Sequence, residues 1–84
     1  MGDMIKFDVE ATDTYGGMAN YCWVKRAVID VPREASQAQV MRRAKRAVGM
    51  AGVRGRTERM AGIEGYEFRP YGACVVLFVT FRDE

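Results

Sequence analysis

The segment from Ala73 to Phe81 constrains the fold more than any other. Cys74, Val76 and Phe78 occupy one parity, and Val75, Leu77, Val79 and Phe81 the other. A β-branched, aromatic run of this kind reads as a strand, closing the chain over Ala73 to Arg82. A strand apolar on both parities belongs at the centre of a sheet, or it turns its second side to a partner. Its nearly uninterrupted part, Ala73 to Val79, is less than half of what a membrane span needs.

The remaining elements supply the rest of that sheet. Met4 to Ala11 alternates, with Ile5, Phe7, Val9 and Ala11 against Lys6, Asp8 and Glu10, the signature of a half-buried strand. Thr12 to Asn20 is rich in turn residues around Gly16-Gly17 and reads as a loop between antiparallel strands. Tyr21 to Val31 is a second, long strand whose alternation is imperfect. Cys22, Val24 and Val28 fall on one parity, and Trp23, Ala27, Ile29 and Val31 on the other, so a bulge near Lys25-Arg26 would restore one apolar face. Pro32 ends it.

Ser36 followed by Gln39 forms a capping-box pattern and starts a helix. Val40, Met41, Ala44, Ala47, Val48 and Ala51 draw its apolar stripe, and Gly49 or Gly52 serves as the left-handed stop. Val53 to Met60 reads as a strand weakened by its glycine content, Gly62 to Gly65 as a turn, Tyr66 to Arg69 as a short strand and Pro70-Tyr71-Gly72 as a hairpin turn. The expected fold is α+β in the order ββαβββ, an antiparallel sheet of about five strands with one helix on one face. Residues 1–84 form a single domain, near the size where one core leaves little stability to spare.

Composition removes several chemistries. The chain has no His and a single Ser, which excludes Ser-His-Asp and Cys-His machinery and any zinc site that uses His. Asp8 and Glu10 share a strand face about 6.5–7 Å apart, with Asp13 in the following loop, but no further ligand stands at loop spacing. A solvated face is preferred over a metal site. The glycines of Gly49 to Gly55 follow a helix instead of opening one, which is the wrong geometry for cradling phosphate. No catalytic residue, metal or cofactor is expected. The N-terminus shows no basic region followed by an apolar stretch, so a cytoplasmic protein is expected, with Cys22 and Cys74 as buried thiols. Trp23 reads as core in preference to an interface anchor.

The net charge of +2 hides a strong segregation. Residues 1–20 balance at −3, 21–35 at +1, 36–59 at +6 and 60–84 at −2. Arg42, Arg43, Lys45 and Arg46 occupy the solvent side of the helix with no acid at i±4, and Arg54 and Arg56 alternate outward on the next strand and extend the patch. Arg42 and Arg46 repel one another by a few tenths of a kcal/mol in an isolated helix, so a partner-binding patch rich in bidentate Arg is preferred. The alternative is that acids from elsewhere, such as Glu64 and Glu67, neutralise it across the fold. Among the aromatics, Tyr15 is a candidate contact, and none interleaves with the Arg cluster as a single-strand binder would require.

A small α+β frame, no enzyme constellation and a basic patch at Arg42, Arg43, Lys45, Arg46, Arg54 and Arg56 together resemble the small accessory proteins of phages and prophages, in the manner of the anti-CRISPR and other anti-defence inhibitors. The resemblance spans the chain as size, element order and charge, and matches no motif. It implies a non-enzymatic inhibitor in the cytoplasm of a host bacterial cell. Such a protein binds a host protein or ribonucleoprotein complex through a basic face and occludes its nucleic-acid-binding surface. Two other functions remain open: a general nucleic-acid-binding protein, and a structural homo-oligomer paired through exposed sheet edges or the strand Ala73 to Phe81.

Overall fold

The structure, a computed structural model, describes residues 3–60, 62 and 64–82. Its elements are β1 (Met4–Tyr15), β2 (Met18–Pro32), α1 (Gln37–Ala47), β3 (Gly55–Arg59), β4 (Gly65–Pro70) and β5 (Val75–Arg82). The five strands form one antiparallel sheet in the order β2-β1-β5-β4-β3. The two-sided apolar strand therefore lies at the centre, as expected.

Cross-strand register lines up the core. Ala27, Val9, Val79 and Tyr66 form one row across four strands, and Ile29, Phe7 and Phe81 another. Phe7 and Phe81 meet edge to face with centroids 6.0 Å apart. Helix α1 covers this face with Val40, Met41 and Ala44, joined by Val48 just past its end, all buried. Ala47 and Ala51 of the expected stripe are exposed instead. The helix ends at Ala47, so helical spacing no longer places Ala51.

Both helix ends follow from local chemistry. The Gln39 amide donates to Ser36 Oγ at 3.2 Å and the Ser36 amide to Gln39 Oε1 at 2.8 Å, the reciprocal capping box. At the far end Gly49 takes φ 79°, letting its amide reach the Arg46 carbonyl at 3.2 Å and that of Met50 the Lys45 carbonyl at 2.7 Å.

The first hairpin differs from expectation. The expected loop over Thr12 to Asn20 is strand on both sides, joined by the two-residue turn Gly16-Gly17 with φ of 61° and 84°. No bulge occurs at Lys25-Arg26. Register runs unbroken from Met4↔Pro32 to Thr12↔Val24, then jumps to Thr14↔Ala19. Asp13 thus stands opposite the whole of Asn20–Trp23. That wide bulge is held by side chains. Asp13 Oδ1 accepts from the Cys22 amide at 2.7 Å, and Asn20 Nδ2 donates to Asp13 Oδ2 at 2.9 Å. The buried Thr12 hydroxyl accepts from the Tyr21 amide and donates to the Trp23 carbonyl, both at 3.0 Å. Tyr21 pays with a left-handed φ of 58°.

Several side chains expected inside lie outside. Cys22 sits in the bulge and Cys74 in the turn before β5, and both are exposed free thiols instead of buried ones. Trp23, on the rim of the sheet, is 42% exposed. Strands β3, β4 and β5 fall within a residue or two of expectation. Gly55, read as a weakness in β3, fits a close approach: a Cβ there would collide with the Arg69 carbonyl and the Phe68 ring. In the expected turn Gly62 to Gly65, Gly62 takes φ 73°, and Ile63 lies outside the described residues. No helix among the described residues is long and apolar enough to cross a membrane.

Candidate binding face of the helix

Charge is sorted by the two faces of the sheet. Positions 6, 8, 10, 26, 30, 56, 58, 67, 69 and 82 share the face without a helix, by register. There Lys6 pairs with Asp30 at 2.8 Å, Arg26 with Glu10 at 2.9 Å, Arg56 with Glu58 at 2.7 Å, Arg69 with Glu67 at 2.6 Å and Arg82 with Asp8 at 3.8 Å. A further ion pair, Arg33 with Asp3 at 3.5 Å, closes the end of the first hairpin. Asp8 and Glu10 each face a guanidinium.

None of these pairs reaches α1. Arg42 and Arg46 lie one turn apart on its exposed crest and border a groove on either side of the helix. Among the described residues no carboxylate lies in ion-pair reach of either. Of the two acids considered as neutralisers, Glu67 is held by Arg69 on the far face, and Glu64 makes no ion pair with a described residue. Arg43 leans toward β2, its Nη1 donating to the Asp30 carbonyl at 3.2 Å. Arg54 borders the other groove, between α1 and β3.

Three expected contact residues are placed elsewhere. The Lys45 ammonium donates to the Val53 carbonyl at 2.9 Å and lies 4.8 Å from the Phe68 ring centroid. It is half-buried and ties α1 to the segment before β3, a structural role. Arg56 points to the opposite face of the sheet, because only the odd positions of β3 share the helix side. Tyr15, 81% exposed, stands at the hairpin tip, which Arg69 Nη1 draws toward the open face through the Gly17 carbonyl at 2.8 Å.

Tyr71 was missed. It is 71% exposed and borders the groove with Arg42, Arg46 and Arg54, backed by Phe68. Its amide donates to the Arg54 carbonyl at 3.0 Å, pinning the turn beside the cations. The pairing Gly55↔Pro70 brings the two segments together, and no local sequence signal reveals that register.

The other polar cluster is structural. The Asn20 amide above all holds the Asp13 carboxyl below its ordinary range; burial opposes it, and the Cys22 and Trp23 amides add to the lowering. Its donors belong to the bulge it stitches. Among the described residues no group of His, Cys, Asp and Glu could hold a metal. No protein-family model, curated protein or solved structure matches the chain.

Proposed function

We propose that this chain is a non-enzymatic inhibitor that docks the exposed side of α1 on a host defence complex, a CRISPR ribonucleoprotein or a nuclease, and occludes its nucleic-acid-binding surface. The observation that carries this reading is the bare crest of α1. Arg42 and Arg46 have no carboxylate in reach among the described residues, while the carboxylates of the open face are matched. Like charges one turn apart repel, and a partner's carboxylates or phosphates offset that repulsion with bidentate contacts. Arg43 and Arg54 widen the target on either side.

The test is infection. Expression of the chain in cells with an active defence nuclease is expected to restore plaques of a targeted phage. Arg42→Glu with Arg46→Glu abolishes that rescue while leaving circular dichroism unchanged. Plaque counts unaffected by the wild-type chain across CRISPR and restriction hosts would overturn the reading.

The placement of Tyr71 favours a second reading, direct binding of single-stranded nucleic acid, since an exposed ring beside cations is a stacking platform. It predicts a gel shift with labelled RNA that is lost between about 50 and 200 mM salt. No shift at low salt removes it.

A further inference from the structure

The sheet has two edges of very different length. Edge β3 spans 5 residues, whereas edge β2 spans 15 and is smooth from Val24 to Val31. Long smooth edges invite pairing with another chain. The Arg33 amide donates to the Asp3 carbonyl at 3.1 Å, which fixes the pattern of the ladder. Odd residues of β2 turn their backbone groups to β1, so Val24, Arg26, Val28 and Asp30 turn theirs outward. Arg43 reaches the Asp30 carbonyl from outside the sheet, in keeping with that direction.

We propose that β2 is a homodimer interface, in which its outer edge pairs antiparallel with that of a second copy, Val28 opposite the partner's Val28. The charge pattern selects the occupant and the register together. Centring the two-fold axis on Val28 sets Arg26 opposite the partner's Asp30, and Asp30 opposite the partner's Arg26. Centring it on Arg26 or Asp30 opposes like charges. Centring it on Ala27 or Ile29 leaves both charges facing apolar side chains or Pro32. Only the Val28 register matches charge, apolar side chains and outward backbone groups at once.

In that register the existing ion pairs Glu10–Arg26, at 2.9 Å, and Lys6–Asp30, at 2.8 Å, merge into longer alternating rows across the two-fold axis. Val24 and Val28, 36% and 47% exposed, gain apolar neighbours. About six main-chain hydrogen bonds form. The Asp30 carbonyl has two lone pairs, so it can keep Arg43 and still accept from the partner strand. The axis stands perpendicular to the sheet, which puts both α1 helices on one side and doubles the basic surface.

Sedimentation of the wild-type chain at tens of micromolar is expected to give the dimer mass. Arg26→Asp and Asp30→Arg each place like charges opposite one another twice, and each weakens self-association about tenfold or more. Mixing the two variants makes both contacts opposite in sign again, so a heterodimer forms. A wild-type monomer, or a mixture that stays monomeric, overturns the proposal. If a charge variant fails to fold, Val28→Cys in a Cys22→Ser, Cys74→Ser background decides instead. Paired Cα atoms about 5.5 Å apart cross-link on oxidation, and a chain that stays uncross-linked overturns the proposal.

Discussion

On the open face of the sheet, Lys6, Arg26, Arg56, Arg69 and Arg82 each stand beside a carboxylate. On the helix side, Arg42 and Arg46 have none among the described residues. The difference lies in how each surface acquires its neighbours. On a sheet, register and i, i+2 spacing choose them, and cation and acid alternate there. On α1 the neighbours are i±4 residues, and none of those around Arg42, Arg43, Lys45 and Arg46 is an acid. The open face of the sheet pairs its charges within the fold, whereas the crest of the helix leaves Arg42 and Arg46 without a carboxylate among the described residues. Surface pairs of the first kind contribute only about 0–1 kcal/mol each, so that face is neutral more than it is strong.

The largest effect expected of a single change lies beneath the helix. Leu77→Ala, at a fully buried site on the central strand, is expected to lower stability by about 2–5 kcal/mol in urea titrations. Lys45→Met comes next, at about 1–2 kcal/mol, because it removes the bond to the Val53 carbonyl and the contact with Phe68. It costs less affinity for any anionic partner than Arg42→Glu does; the opposite ranking would return Lys45 to the patch. Ser36→Ala removes the helix cap for about 1 kcal/mol. Arg42→Glu with Arg46→Glu, by contrast, shifts the melting free energy by no more than about 0.5 kcal/mol, so any lost binding reads recognition and not folding.

The smallest effect is a pH dependence of the bulge. The Asp13 carboxyl titrates below its ordinary value of 3.8, so its stabilisation is present above that pH and is lost as pH falls through the folded value. Amide exchange at Cys22 and Trp23 is expected to accelerate in strong acid before the central strands respond. Uniform acceleration along β1 would contradict a local role.

The parts of this fold visible in the sequence are those written in short-range pattern. The capping box Ser36/Gln39, the alternation of Met4 to Ala11 and the two-sided run in β5 each depend on residues a few positions apart. The bulge is not visible there, because its cause, Asp13 and Thr12 accepting and donating across the hairpin, is a cross-strand arrangement. With no kink at Lys25-Arg26, Val24 and Val28 stay exposed on the open face instead of joining the core. The helix cations were legible as a cluster. Which of them the fold consumes was not, since Val53 and Phe68 reach Lys45 only through tertiary packing. Likewise Arg56 parts from Arg54, although the two share a parity, because Arg54 lies before the start of β3 and only Arg56 is turned to the open face by the strand's register.

The position of β5 also governs how the molecule comes into being. Its ladder with β1 joins Lys6↔Arg82 through Asp13↔Val75, so the central pairing of the sheet cannot close until residue 82 has been synthesised. Contacts this distant in sequence slow folding, because the loop must close before burial rewards it. Until then the first hairpin is a two-stranded ribbon with one apolar side uncovered, a species of marginal stability that chaperones and proteases would recognise.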